Sequence, residues 1–283
     1  MMRRFTLGMV AGAGLLLAAQ AEEYVLAEKG KYSQPAGTKL GKQAVLEITG
    51  AKLTLTTPEK TIEGTSTRKE SRLDSIEILS PTQSREVLEK KTLEGKITLS
   101  GQDRPMPDEP VPLQAVPVLV ERAADGSFTA KLEEGEPTPA QAAHLAKLVK
   151  ALEGESEVAL YGDTPRKPGD KWTVDPKNLR SFADAEKLTG AYTVEFVEVK
   201  DFQGTPCAVL KSTYDVKGTA IGGPEASLSF KGSAITHRSL ADRADLDVKI
   251  EAAMVMEAQP GPGVTMRVEG PYKLSETVTV KRP

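Results

Sequence analysis

The sequence has little of what catalytic and cofactor chemistry is usually built from. One cysteine in 283 residues, Cys207, excludes an internal disulfide. Only two histidines are present, His144 and His237, and no HExxH, GxSxG or paired-cysteine spacing accompanies them. The glycine-rich stretches lack the strand-to-helix setting and the Lys-Ser/Thr of a phosphate loop. Aromatic residues make up 5%, so a core must be built from Val, Leu, Ile, Ala and Met. Lys and Arg number 37 against 40 Asp and Glu, a net charge of −3 that offers no basic face for nucleic acid. The expectation is a protein that is not an enzyme and binds no cofactor or metal.

Long apolar runs are also scarce. Arg3 and Arg4 precede the one candidate, Leu7 to Ala18, and Ala19-Gln20-Ala21 supplies small residues of the kind signal peptidase reads. This predicts a secretory signal over residues 1–21, cleavage after Ala21, and a periplasmic or secreted chain. Phe5 departs from a twin-arginine pattern, and the run is too short for a membrane span, although an uncleaved anchor is the competing reading. No cysteine stands at the cleavage site to carry a lipid. No membrane span is expected after cleavage.

What the chain does have is alternation. From Ala244 to Met256 every even position is apolar, and after Gln259-Pro260-Gly261-Pro262-Gly263 the even positions carry Val264, Met266, Val268, Gly270, Tyr272, Leu274, Glu276, Val278 and Val280. A period of two predicts a long antiparallel hairpin with one dry face. The candidate lining for an apolar ligand is Leu246, Val248, Ile250, Met254, Met256, Val264, Met266, Val268, Tyr272 and Leu274. Simple pairing across the turn sets Met254 opposite Met266. Copper(I) binding by these thioethers is conceivable, but a pliable apolar lining fits better without nearby histidine or cysteine.

The rest of the chain reads as a β meander over 22–135, a helix over 136–154 and a long-stranded sheet over 155–283, together one domain. Glu22 to Ala27 is a short strand. Ala44-Leu46-Ile48 and Ala51-Leu53-Leu55 are two alternating runs separated by Gly50. Lys60 to Leu79 and Ser84 to Leu99 are polar, amphipathic strands, with a solvated helix over Thr82 to Leu93 as the alternative. Five prolines make Gln102 to Pro117 a crossing loop.

Val118 to Leu132 is a hairpin turning at Asp125-Gly126. Thr138-Pro139 opens a helix carrying Ala142, Leu145, Leu148, Val149 and Leu152 on one stripe. Val158 to Tyr161 is expected as a strand and Asn178 to Leu188 as a loose helix. Three strands then follow, with a loop at Gly222-Gly223-Pro224 and a bulge at Gly232, where the apolar phase slips between Phe230 and Ile235. Ile48-Thr49-Gly50-Ala51 echoes Leu188-Thr189-Gly190-Ala191, either as a trace of two related halves or as recurring strand-start chemistry.

His144 and His237 are expected at the surface or at a groove edge. Trp172 is expected to anchor the sheet's end. Asp242, Asp245 and Asp247 read as outward charges beside a turn, with calcium as the lesser option.

The predicted fold is mainly β: a curved, long-stranded antiparallel sheet, half-barrel or two packed sheets, with one short helix. Eight to ten strands present a face on the order of 1,500 to 2,000 Å². A helix about 22 Å long covers only a fraction of it. Between Val118 and Lys281, the Asp-Gly hairpin, the helix, the Pro168-Gly169-Asp170-Lys171-Trp172 entry and the closing long strands together resemble uncharacterised exported bacterial β-rich proteins. In architecture the chain is similar to periplasmic half-barrel carriers of lipids and lipoproteins. That resemblance implies binding of a lipid or an acylated protein. The alternative is a structural or interaction protein of the cell envelope, with an envelope protein as partner and a sheet packed against itself.

Overall fold

The computed structural model describes residues 22–27, 34–106, 110–154, 157–179, 185–220 and 226–283. The signal-peptide expectation and the Gly222-Gly223-Pro224 loop lie outside these residues. The strands are β1 (Lys39–Thr56), β2 (Thr61–Ser80), β3 (Gln83–Leu99), β4 (Gln102–Pro105), β5 (Val118–Arg122), β6 (Phe128–Leu132), β7 (Lys171–Val174), β8 (Ala185–Phe202), β9 (Thr205–Ala220), β10 (Ala226–Ser239), β11 (Asp245–Gly261) and β12 (Val264–Lys281). They form one antiparallel sheet of 12 strands that does not close, larger than the eight to ten expected. Its order is β6-β5-β3-β2-β1-β12-β11-β10-β9-β8-β7, with β4 hanging off β3. The first and last long strands therefore meet in the middle, from Lys39 opposite Lys281 to Thr56 opposite Thr265. We refer to β1–β6 as the N-terminal wing and β7–β12 as the C-terminal wing.

Strands of 14 to 20 residues cannot stay flat under the ordinary right-handed twist, so the sheet must bend. The two runs flanking Gly50 are one strand re-phased by a bulge. Pairing with both neighbours slips just after Ile48, Gly50 takes a φ of +62°, and the inward residues change from even (Leu46, Ile48) to odd (Ala51, Leu53).

Gly232 does not bulge, contrary to the sequence reading: β10 runs in register through it on both sides. A Cβ there would lie 2.1 Å from the Glu251 carbonyl oxygen and 2.6 Å from the Ala252 Cα, so the residue is small because a backbone passes too close for a side chain. Ile235 simply takes the other face. The slip in this strand pair falls later, between His237 and Arg238. Tyr214 pairs with Gly232 across the ladder and stacks on Tyr192 with centroids 5.6 Å apart, so aromatic rings flank the missing side chain.

Other local expectations also change. The β11–β12 turn is tighter than supposed, with Gly261 paired to Val264, so Met254 faces Gly270 and Met266 faces Ala258. Val158 to Tyr161 belongs to a short helix, α2 (Glu157–Tyr161), rather than a strand. Over Asn178 to Leu188, a 3-10 turn ends at Asn178 and β8 has begun by Ala185; residues 180–184 are not among those described. Gln102 to Pro105 is a short edge strand before the crossing loop, with its proline at the strand end. Glu22 to Ala27 makes one bridge, Tyr24 with Arg166, through bonds of 2.7 and 2.8 Å.

The long helix α1 (Pro139–Gly154) begins as expected. Thr138 and Gln141 exchange capping bonds, Thr138 N–H to Gln141 Oε1 at 2.9 Å and Gln141 N–H to Thr138 Oγ1 at 3.3 Å. Leu145, Leu148 and Leu152 then pack with Val118, Val120 and Leu132 of the Asp-Gly hairpin. The helix thus forms a satellite core at the edge of the sheet and leaves the large face to other cover.

Candidate functional site

The inner face of the sheet, the one bearing the main core, differs from wing to wing. On the C-terminal wing, Tyr192, Val194, Phe196, Leu210, Tyr214, Val216, Leu228 and Phe230 are almost wholly buried. Their cover includes Leu26 and Ala27 from the N-terminal segment, Tyr161 from α2 and Leu179 beyond the 3-10 turn, all members of the same cluster. Trp172 ties this cover to the edge strand: its Nε1 donates to the Leu160 carbonyl at 2.9 Å, and Arg166 lies 4.6 Å above its ring.

Arg238 fastens the cover. Fully buried, it donates from Nε to the Leu26 carbonyl (2.6 Å), from Nη1 to Asp245 (2.7 Å) and from Nη2 to Glu157 (2.7 Å), and it lies 4.3 Å over the Tyr161 ring. Tyr161 completes the cluster by donating its hydroxyl to Asp245 at 2.8 Å. Burial favours the neutral guanidine, but Asp245 and Glu157 outweigh it and hold Arg238 charged. Burial first, and then the Asp245 charge, push the Tyr161 hydroxyl well above its ordinary range.

The slip between His237 and Arg238 makes this possible, because it sets Asp245 opposite Arg238. Leu246 then leaves the main core and packs with Cys207 and Ala244. The three aspartates are accordingly not outward charges. Asp242 accepts from Ser239 (2.9 Å) and Arg282 (2.8 Å), Asp245 holds Arg238, and Asp247 sits buried 3.4 Å from His237. His237 is mostly covered and stacks on Phe202 at 4.7 Å. No cluster that could hold a metal occurs among the described residues.

On the N-terminal wing the middle of β2 makes part of the inner face ionic. In β2, the positions sharing the face of Leu46 and Ile48 are Arg68, Glu70, Arg72 and Asp74. Arg68 pairs with Glu70 (2.7 Å), Lys91 with Glu70 (3.2 Å), Arg72 with Asp74 (2.7 Å), and at the seam Lys42 with Glu276 (2.9 Å). The dry face expected over the whole sheet is therefore interrupted along the middle of β2, while Ile97 and Leu99 at the end of β3 still pack on the main core. A dry β2 would need apolar residues at the positions these charges occupy.

Between the covered core and the ionic wall lies a band of half-buried apolar side chains. Leu46, Leu274 and Ile250 form one row across β1, β12 and β11, and Ile48, Tyr272 and Ala252 form the next. Leu46, Ile48, Ile250, Ala252 and Leu274 are only partly buried where they pack on the core, while Tyr272 is buried. The arrangement is an amphipathic strip, with an apolar floor bordered on one side by paired charges.

The structure places the ten residues singled out from sequence in four settings. Ile250, Met256, Met266 and Leu274 are partly buried against the main core. Met254, Val268 and Tyr272 are buried within it. Val248 and Val264 are half-buried outside any cluster, and Leu246 belongs to the separate one. Sequence reasoning missed Arg238 altogether, because a single arginine at an even position of an alternating strand looks like any surface charge. The ionic wall had a visible signal, since Lys60 to Leu79 has no apolar stripe on either parity.

No family model matches the chain, and no curated protein matches it. Among solved structures it is similar to lipovitellin, studied for its lipid–protein interactions, with 10% identity and a TM-score of 0.44 over 88% of this chain. The chain spans only 26% of that lipovitellin chain. It is also similar to an outer membrane channel from Pseudomonas putida F1 (7% identity, TM-score 0.26, 90% of this chain and 99% of that one). A DUF1329 family protein from Desulfovibrio piger is a third (10% identity, TM-score 0.19, 87% of this chain and 86% of that one). All three are weak likenesses of architecture. Among the described residues, no helix is long and apolar enough to cross a membrane.

Proposed function

We propose that the chain is an exported, non-enzymatic protein of the periplasm that carries an apolar ligand, a lipid or the acyl chain of a modified protein, on its amphipathic strip. The observation that carries this reading is the half-buried apolar floor of Leu46, Ile48, Ile250 and Leu274, which continues the core yet keeps part of its surface in contact with water. The bordering charges suit an amphiphile, because they can meet a polar head while the floor meets the chain. Met256 and Met266 add pliability to the same wall, which suits ligands of varied shape.

The experiment is extraction of the purified chain with organic solvent followed by mass spectrometry, paired with titration of a fluorescent fatty acid. Co-purified lipid and saturable binding weakened by Ile250→Asp are expected. No extracted lipid together with no binding overturns the reading.

A structural or interaction protein of the envelope is the second reading, favoured by the way Leu26, Ala27, Tyr161 and Leu179 already cover the C-terminal wing. Recovery of a stable envelope protein partner by pull-down, with no lipid, would select it.

A further inference from the structure

Opposite charges face each other at several positions where the long strands of this sheet pair, although Lys39 faces Lys281 and Arg72 faces Lys91. Glu47 meets Lys69 (3.2 Å), Glu77 meets Arg85 (2.9 Å), Glu251 meets Lys273 (3.1 Å) and Asp215 meets Lys231 (3.1 Å), each pair directly across a ladder. The last strand pair carries another, with Lys171 of β7 holding Glu195 of β8 at 3.2 Å. There β7 stops. The loop before it makes two more backbone bonds, Gly169 N–H to Phe196 C=O (2.7 Å) and Phe196 N–H to Asp170 C=O (2.9 Å). Beyond Phe196, β8 continues to Phe202 with β9 on one side and, among the described residues, no strand on the other.

This free stretch differs from the sheet's other borders. Residues 197–201 are exposed in succession, and Val197 (43%) and Val199 (37%) are two of the four large apolar side chains exposed among the described residues. Glu198 and Lys200, flanking Val199, form no ion pair among the described residues, unlike Glu195 just upstream. An unpaired edge with exposed valines is a template for strand addition. The spacing of the charges selects what is added. In an antiparallel pairing centred on Val199, Val199 faces its own copy, and Glu198 faces the partner's Lys200 twice over by symmetry. The joined edge thereby repeats the cross-strand charge pairs found inside the sheet.

We propose that the free edge of β8, Val197 to Asp201, is a homodimer interface at which two copies of this chain join their sheets across a two-fold axis at Val199. Such pairing uses up the edge on both copies, so assembly stops at two.

The test uses the purified chain without added ligand: mass measurement by light scattering and analytical ultracentrifugation across a concentration series, with Glu198→Lys, Lys200→Glu and the double exchange. Each single reversal places like charges opposite one another at two symmetric positions, which weakens the dimer about tenfold or more. The double exchange recreates both pairs and restores affinity to within about threefold of the wild type. Thermal melts taken at concentrations where every variant is monomeric stay at the wild-type value, because neither side chain forms an ion pair among the described residues. A wild type that remains monomeric at hundreds of micromolar overturns the proposal. So does a dimer indifferent to single reversal, or one that the double exchange does not restore.

Discussion

The two wings of one sheet are stabilised by different means. The C-terminal wing is a dry core in which Phe196, Leu210 and Val194 have no exposure, closed by segments from elsewhere in the chain and locked by a buried arginine. In β3 of the N-terminal wing only Ser84 is buried, and the strands are joined by backbone ladders and rows of paired charge. Apolar burial dominates the first, at roughly 25 cal/mol per Å² removed from water. Half-exposed ion pairs contribute at most about 1 kcal/mol each in the second. A continuous sheet can thus be stiff at one side and wet at the other, with the amphipathic strip where the two meet.

The contrast can be broken most directly at Arg238. Arg238→Ala leaves Asp245 and Glu157 without their shared cation and should cost about 3 to 5 kcal/mol in denaturant unfolding. Lys69→Ala in the N-terminal wing should cost about 1 kcal/mol or less, because the side chains of Lys69 and its partner Glu47 are 50% and 42% exposed. Equal losses would mean that the wings are not energetically distinct.

Next in size is Gly232→Ala, whose added carbon meets backbone rather than a movable side chain. A loss of about 1 to 3 kcal/mol is expected by the same measurement. A neutral result would show that the strand crossing can relax.

A smaller effect should follow Glu47→Lys, which faces Lys69 and puts like charges across the ladder. A loss below about 1 kcal/mol that shrinks further in 1 M salt is expected. Insensitivity to salt would argue against the charge ladder.

The smallest is pH dependence at Glu70. Burial raises its pKa, but Arg68 and Lys91 outweigh burial and hold it below the ordinary value of 4.5. A lowered folded-state pKa gives stability that is present above the unfolded value and lost as pH falls through the folded one. Glu70→Gln should therefore flatten the acid limb of stability below about pH 4.5 while leaving the neutral region nearly parallel to wild type.

Much of this was legible before any coordinates. Period-two alternation marked the long strands, Thr138-Pro139 the helix start and Asp125-Gly126 the hairpin, because each is decided by a few neighbouring residues. The change of parity across Gly50 was visible too, and it needed only a positive φ to become a bulge. The same reasoning failed at Gly232, since a close backbone approach from β11 leaves no trace in local parity.

Arg238 was hidden for a related reason: its partners come from Leu26, Glu157 and Asp245, far apart in sequence except the last. The extent of the dry face was overestimated because the closing hairpin was taken to represent the sheet. The polar character of β2 already argued otherwise.

The central seam has a consequence in time. Lys39 pairs with Lys281, so the middle of the sheet joins the start of β1 to the end of β12. Contacts so distant along the chain make for slow folding. Until β12 is available, β1 and β11 each present a long raw edge, the condition most open to mispairing between chains. During synthesis, the nascent chain must be kept apart from its own kind until its final strand arrives. Holding chaperones would act on this molecule chiefly in that interval.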